Sequence, residues 1–139
     1  MNIIIRNENP EDYKIVEEIA REAFWNLYFP GGHEHFVVHK MREHKDFIKE
    51  LSFVIEADDK IVGGIFYTHS KIVSKDNKEY KTISFGPVFI SPNFHRKGLG
   101  RELITYSINV AKEKGYRAIL TLGYPYHYEP YRFLGGEKI

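Results

Sequence analysis

The sequence contains no cysteine, carries almost no net charge and has no long apolar run. The absence of cysteine excludes disulfides, thiolate metal sites and a cysteine nucleophile. With 20 basic and 19 acidic side chains and a formal net charge of +1, the chain lacks the overall positive field of most nucleic-acid-binding proteins. The apolar runs fall short of the roughly 20 residues that a membrane helix needs, and residues 1–6 are too polar for a signal peptide. We therefore expect a cytoplasmic protein without nucleic-acid or membrane partners, in which any anion binding is local.

What the chain does contain is enough apolar material for one core. Hydrophobic residues make up 42% and aromatic residues 15% of the 139 positions, and this composition argues against disorder. A chain of this length can bury a single core without covalent crosslinks. We therefore expect one domain over residues 1–139.

The spacing of apolar residues predicts alternating blocks of strand and helix. β-branched and aromatic runs predict strands, and apolar residues at helical spacing predict helices. The resulting order, β-α-α-β-β-β-α-β-α, is typical of an α/β protein (an α+β mixed sheet flanked by helices). The predicted segments are strand 3–6, a helix that begins at 9–10 and is broken at 30–32, helix 35–49, strands 51–57, 61–69 and 80–90, helix 101–114, strand 118–122 and a short aromatic helix 126–134.

The most informative segment is the glycine loop between the predicted strand 80–90 and the helix that follows it. Gly98 and Gly100 let a bulky anion approach the backbone, because no Cβ stands in the way. The first N–H groups of a helix have no intrahelical partner and carry the partial positive charge of the helix dipole. Arg96, Lys97 and Arg101 add positive charge around the same point. Together these features predict a binding site for a nucleotide diphosphate.

Other glycine loops fit this segment less well. A dinucleotide-binding fingerprint requires G-x-G-x-x-G, and Leu103 stands where its third glycine would be. The P-loop sequence G-x-x-x-x-G-K-[ST] does not occur. A tight turn without ligand is the plain structural alternative. The preceding strand, the basic side chains and the amphipathic helix together favour an anion site.

Residues 85–101, FGPVFISPNFHRKGLGR, resemble the acetyl-CoA motif of the GNAT superfamily of N-acetyltransferases, Q/R-x-x-G-x-G/A after a strand. The order of elements over residues 3–135 is similar as well. The resemblance implies a GNAT-like acyl-CoA N-acyltransferase fold, acetyl-CoA as co-substrate, no metal, and direct acetyl transfer to a primary amine. His95 stands where the family usually has Gln or Arg. The implied cofactor-binding residues are Val88, Phe89 and Ile90 for the pantetheine arm and Arg96, Lys97, Gly98, Leu99, Gly100 and Arg101 for the pyrophosphate.

The resemblance also implies where proton transfer takes place. The segment 131–136 is similar to the family's Y-x-x-L-G-F, with Gly136 in place of Phe, which makes Tyr131 the first candidate for the general acid and Tyr128 the second. A backbone N–H near Ile90 would stabilise the oxyanion. No base is singled out, because residues 81–91 contain no acid; the candidates are Glu34, His69, His127 and Glu129.

The resemblance implies that the region before residue 50 forms part of the acceptor pocket. The sequence does not indicate which amine is the acceptor. The candidate lining residues of the pocket are Trp25, Tyr28, Phe29 and His33. His35 and His39 have a spacing that could place two imidazoles on one metal, but no clear third ligand accompanies them, so no metal site is predicted.

The resemblance leaves the C-terminal side incomplete. The family fold usually finishes with two strands after the fifth, and we expect the last one or two to be lacking here. The apolar edge at 118–122 should then be covered by a partner subunit in a homodimer or by the terminal residues. Two other functions stay open: a non-catalytic CoA or acyl-CoA-binding module of the same fold, and a protein that binds a phosphate ligand at the same helix terminus.

Overall fold

The computed structural model describes residues 1–24 and 34–121, with backbone alone for residues 24 and 34–36. Within these ranges it contains five strands and three α-helices, joined by short 3₁₀ turns. The strands are β1 (Ile3–Asn7), β2 (Phe53–Ala57), β3 (Lys60–Val73), β4 (Glu79–Ile90) and β5 (Ile119–Leu120), and the helices are α1 (Tyr13–Phe24), α2 (Glu34–Met41) and α3 (Leu99–Glu113). None of the helices in the described ranges is long and apolar enough to cross a membrane.

The strands form one mixed sheet whose spatial order, β1-β2-β3-β4-β5, is also their order along the chain. The first three pairings are antiparallel, and β4 pairs with β5 in parallel. A parallel pair needs a crossover, which the chain makes through α3. The predicted mixed α/β sheet and the order of its elements through the fifth strand are confirmed. The predicted helix 126–134 and the predicted loss of final strands concern the chain beyond residue 121, outside the described residues.

Each face of the sheet is covered by different helices, because successive side chains of a strand point to opposite faces. On one face, Phe53, Ile55, Ile65 and Tyr67 pack with the apolar side of α3, as their alternation predicts. On the other face, the side chains of the intervening strand residues pack against α1 and α2. That second cluster contains Val16, Ile19, Ala20, Val38, Val54, Phe66 and Phe89.

The first helix begins where the sequence predicts, but with a tighter turn. Pro10–Asp12 form a 3₁₀ turn, and the α-helix itself starts at Tyr13. The Asp12 carboxylate accepts a hydrogen bond from the Asn9 N–H at 2.8 Å and two from the Arg6 guanidinium at 2.7 and 3.1 Å. The hydrogen bonds from Arg6 are the main reason that the pKa of Asp12 lies below its usual value. This contact fixes the start of α1 to the edge strand β1.

The second helix is shorter than the prediction of 35–49, because the chain leaves it to extend the sheet. The helix ends at Met41, and residues 46–48 run beside β3. His69 N–H donates to the Asp46 carbonyl at 2.8 Å, and Ile48 N–H donates to the Tyr67 carbonyl at 3.0 Å. These hydrogen bonds satisfy backbone groups of β3 beyond the point where β2 pairs with it.

A buried ion pair ties the end of α2 to the start of the chain. The Arg42 guanidinium contacts the carboxylates of Glu8 and Glu17 at 2.7 Å each, and its side chain is only 6% exposed. It also lies 4.1 Å from the centre of the Tyr13 ring. Because burial favours the neutral acid, the pKa of Glu8 is raised despite its partner. The two helices on this face are therefore held together by charge as well as by apolar contact.

Candidate active site

The second half of β4 has an edge that the described part of β5 does not cover. Among the described residues, the parallel pairing joins Ile83 to Ile119 and Ser84 to Leu120. Just beyond it, β4 bulges: Val88 lies opposite Ile65 and Phe85 opposite Tyr67, so Gly86 and Pro87 together face the single residue Phe66. A bulge of this kind bends a strand and changes its twist. β4 therefore bends just beyond its last pairing with the described part of β5.

Backbone groups of two of the predicted pantetheine-binding residues face this edge. Ser91 N–H donates to the Val62 carbonyl of β3 at 2.7 Å. Because the direction of backbone hydrogen bonding alternates along a strand, Ile90 and Val88 direct their N–H and C=O groups away from β3. Phe89 differs, since the same alternation directs its backbone groups toward β3. Its side chain is buried in the core against α1 and α2.

The loop after β4 presents the first turn of α3. Gly98 is the N-cap of that helix, with left-handed backbone angles of φ 77° and ψ 9°. Glu102 N–H makes the first intrahelical bond, to the Gly98 carbonyl at 3.1 Å. The amides of Leu99, Gly100 and Arg101 precede that bond, and no side-chain cap at Gly98 occupies the terminus. The N-terminus of α3 thus offers an anion several N–H donors and the partial positive charge of the helix dipole.

Three cationic side chains surround this terminus. Arg96, Lys97 and Arg101 are exposed, and none forms an ion pair with another of the residues the structure describes. Leu99 is different in kind, because its side chain is 3% exposed and belongs to the core beneath the sheet. Within the glycine loop, Leu99 can therefore offer a ligand only its backbone amide.

The two halves of the candidate site meet at Ile90 and Gly100. A Cβ built on Gly100 would lie 3.8 Å from Ile90 Cγ1, an ordinary van der Waals distance, and one built on Gly98 would meet nothing within 4 Å. The backbone at the start of α3 is therefore open on its outer side and close to the end of β4 on its inner side. A diphosphate at the helix terminus and an extended chain along the β4 edge would join at this point.

A side-chain contact that sequence reasoning did not identify joins the same two segments. His95 Nε2 lies 2.8 Å from the Ile90 carbonyl oxygen. Since that oxygen only accepts, the imidazole donates the hydrogen bond. The one sequence signal was the presence of His95 where Gln or Arg is usual, and it did not reveal the partner.

The structure describes only some of the residues predicted to transfer protons or bind the acceptor. Tyr131, Tyr128, His127 and Glu129 lie outside the described residues, and so do the acceptor candidates Trp25, Tyr28, Phe29 and His33. Glu34 is described by its backbone alone. His39, one of the two histidines with metal-like spacing, lies 3.0 Å from a Glu17 oxygen through Nδ1.

His69 is the candidate base whose surroundings the structure describes. It lies on β3 opposite Ile83, and its exposed ring is 6.2 Å from that of Tyr116. It also lines a cavity of about 430 Å³ between the C-terminal half of α2 and β3. The other described lining residues are Val37, Lys40, Met41, His44, Asp46 and Thr68. Because Thr68 pairs with Ser84, the cavity adjoins the last pairing of β4 with the described part of β5.

Arg96 offers a positive charge to an anionic ligand, but its backbone conformation is unfavourable. Its φ of 63° lies in the left-handed region, which costs roughly 1–2 kcal/mol for a residue with a Cβ. Replacing Arg96 by Gly should therefore raise the free energy of unfolding by about 0.5–1 kcal/mol, after the flexibility of glycine is subtracted. For CoA, the ligand that the sequence resemblance implies, the same change should weaken binding about 10-fold, because a charged donor is lost. Urea denaturation and calorimetric titration measure the two effects.

The matched control for this substitution is Arg96→Lys, which keeps both the charge and the Cβ. Its stability should equal that of the parent protein, and its affinity should stay above that of Arg96→Gly. A glycine variant that is less stable than the parent would contradict the backbone argument. A glycine variant with unchanged CoA affinity would show that Arg96 does not contact the anion.

Comparison with known proteins identifies the family of the chain. A model of the acetyltransferase (GNAT) family matches residues 16–128, which is most of the chain. The chain therefore belongs to the GNAT family of acetyltransferases. Among curated proteins it is similar to the uncharacterized N-acetyltransferase YhbS of Escherichia coli K12, with 27% identity over 131 residues covering 94% of this chain and 73% of that protein.

Solved structures share the fold. A GNAT family acetyltransferase from Brucella melitensis, in complex with acetyl-CoA, superposes with a TM-score of 0.84 at 24% identity, covering 96% of this chain and 84% of that one. YhbS from Escherichia coli, in complex with CoA, superposes with a TM-score of 0.81 at 23% identity, covering 96% of this chain and 69% of that one. At these identities the structures establish the common fold, and the chemistry of this chain must be argued from its own residues.

Proposed function

We propose that this protein transfers an acetyl group from acetyl-CoA directly to a primary amine. The observation that carries the proposal is the junction of two surfaces of matching chemistry. The amides and cations at the start of α3 suit a pyrophosphate, and the outward groups of Val88 and Ile90 suit the amides of a pantetheine arm. The two surfaces adjoin each other, as the pyrophosphate and the pantetheine arm do in CoA. The acetyl-CoA and CoA in the Brucella melitensis and Escherichia coli structures support the same ligand for this chain.

The proposed binding residues follow from this placement. Val88, Phe89 and Ile90 form the pantetheine segment, with Val88 and Ile90 as the hydrogen-bonding positions and Phe89 as its anchor in the core. Residues 96–101 form the pyrophosphate segment through backbone amides and the three cationic side chains. No metal is part of the proposal, because the cations and amides already supply the positive charge that a diphosphate needs.

In the proposed reaction the neutral amine nitrogen attacks the thioester carbonyl carbon. The C–N bond forms, the C–S bond breaks, and the departing thiolate takes a proton from Tyr131, or from Tyr128 as second choice. The amine proton passes to a base or to water. An outward N–H of β4 near Ile90 would stabilise the oxyanion of the tetrahedral intermediate. A chain without cysteine has no thiol for an acetyl-enzyme intermediate, which favours direct transfer over a two-step route.

Binding and turnover can be tested separately. In calorimetric titration, acetyl-CoA and CoA should bind far more tightly than ADP or inorganic phosphate. Thiol release measured with a panel of amines should then identify an acceptor, and initial rates with both substrates varied should give the intersecting lines of a sequential mechanism. A protein that binds phosphate and acetyl-CoA equally would be a phosphate-ligand protein instead.

A variant separates catalysis from binding within the same assay. Replacing Tyr131 by Phe should lower kcat about 100-fold or more with CoA affinity unchanged, because only the proton donor is removed. A Tyr131→Phe enzyme of full activity would move the role to Tyr128 or to water. If acetyl-CoA binds but no amine in a broad panel is acetylated, the non-catalytic acyl-CoA-binding module is the better description. A homodimer covering the β5 edge and a cytoplasmic location stay predictions, the first testable by light scattering.

A further inference from the structure

The contact between His95 and Ile90 closes the loop after β4 back onto the strand. The loop leaves the sheet at Ser91, makes a 3₁₀ turn at Pro92–Phe94, and returns so that the His95 ring donates to the Ile90 carbonyl at 2.8 Å. His95 itself is exposed, so its side chain does not serve to fill the core. The hydrogen bond therefore holds the loop against the end of β4 and does not contribute to core packing.

Ile90 is the residue at which the two surfaces of the site are joined. Its backbone groups face the open edge of β4, by the alternation that places Ser91 N–H on Val62. Its side chain lies beneath the start of α3, near Gly100. A rotation of the Ile90 peptide would change the β4 edge and the position of the loop together.

We propose that His95 is a positioning residue that fixes the Ile90 peptide, and through it the distance between the pantetheine and pyrophosphate surfaces. The identity of the ligand rests on the proposed function. What the position requires is an N–H donor of sufficient reach, and Gln, Arg and His side chains all carry one. The neutral imidazole with hydrogen on Nε2 and the imidazolium both donate, so positive charge is not needed. Ordering the loop before the ligand arrives reduces the entropy lost on binding.

The experiment compares three variants by calorimetric titration with CoA. His95→Ala should weaken binding about 10-fold, the value expected for losing one organising hydrogen bond. His95→Gln should bind within about threefold of the parent protein, because the amide keeps a donor. Asn93→Ala changes an exposed neighbour in the same loop and should leave the affinity unchanged. Melting temperatures should agree among all four proteins, which separates positioning from a general loss of stability.

Two outcomes would overturn the proposal. One is a His95→Ala protein that binds CoA as the parent does, and the other is a His95→Gln protein that binds as weakly as His95→Ala. Repeating the titration from pH 5 to 8 adds a further check: the parent and His95→Gln should keep the same affinity ratio. A parent that gains affinity over His95→Gln only at low pH would show that the imidazolium acts as a charge on the phosphate instead.

A measurement without ligand distinguishes failure of this inference from failure of the proposed function. Backbone ¹⁵N relaxation should give lower order parameters for residues 93–97 in His95→Ala than in the parent or in His95→Gln. If the parent does not bind CoA but this loosening is seen, the proposed ligand is wrong and the positioning role of His95 stands. If CoA binds and the order parameters are equal, the positioning role is wrong.

Discussion

Replacing Gly100 by Asp should strongly weaken the proposed CoA binding while the protein stays folded. Gly100 is the second residue of α3, where a carboxylate interacts favourably with the helix dipole, and the space around a Cβ is open except for Ile90 Cγ1 at 3.8 Å. The same carboxylate would face the pyrophosphate. Two unit charges about 5 Å apart repel by about 3 kcal/mol at an effective dielectric constant of about 20. We therefore expect a loss of affinity of at least about 100-fold by calorimetric titration, with an unchanged or higher melting temperature.

Gly100→Ala is the matched control for this substitution. It adds the same Cβ without charge, and the family motif accepts alanine at this position, so the affinity for CoA should change by less than about threefold. Equal loss in both variants would mean that volume and not charge excludes the ligand. A Gly100→Asp protein that still binds CoA normally would place the pyrophosphate away from the start of α3.

The largest loss of stability is expected from Gly63→Ala. A Cβ on Gly63 would lie 2.4 Å from the Phe89 carbonyl oxygen and 2.6 Å from Ile90 Cδ1, both far inside contact distance. The oxygen belongs to the backbone of β4, so relieving the overlap requires β3 and β4 to separate. We expect the free energy of unfolding to fall by about 3 kcal/mol, with a decrease in melting temperature of about 10 °C. Urea denaturation followed by circular dichroism measures the first quantity.

The adjacent glycine provides the control. A Cβ on Gly64 would lie 3.2 Å from Phe66 Cε2, the end of a side chain, and 3.4 Å from the Phe53 carbonyl oxygen. A shift of the Phe66 ring by a few tenths of an ångström is enough to relieve it, so Gly64→Ala should cost about 1 kcal/mol or less. Equal effects of the two substitutions would contradict the argument from close approach of the strands.

The sequence predicted the parts of the fold that depend on local pattern. The continuous β-branched and aromatic run at 53–55 predicted β2, and the apolar spacing along residues 103–111 predicted α3. The end of α2 was not predictable in this way. Residues 46–48 leave the helical path because β3, about 20 positions later, offers them hydrogen bonds, and no window of sequence contains both partners. The end of β3 was also underestimated, because Ser70 and Lys71 interrupt the apolar pattern before Ile72 and Val73, and residues 70–73 pair with β4 as a largely exposed ribbon.

The candidate site likewise has a part that local sequence pattern predicts and a part that depends on tertiary contacts. The glycine loop was predictable, because an anion cradle needs glycine, cations and a helix start in consecutive positions. The separate roles of Val88, Phe89 and Ile90 needed the register with β3, which a motif does not specify. The contact of His95 with Ile90 and the left-handed backbone at Arg96 depend on the path of the loop in space. The assignment of Tyr131 and Tyr128 stays a prediction.

The strand order has a consequence for how this sheet assembles. β2, β3 and β4 follow each other through short turns, so their pairing closes small loops, whereas Ile3 pairs with Ala57 and Ile83 with Ile119 across far longer stretches of chain. Closing a longer loop costs more conformational entropy, and topologies rich in local contacts fold faster. Forming the central meander therefore costs less loop-closure entropy than pairing either outer strand. The edge of β4 that faces the proposed ligand belongs to the meander, so the proposed binding surface lies in the part of the sheet that is held by the most local strand pairings.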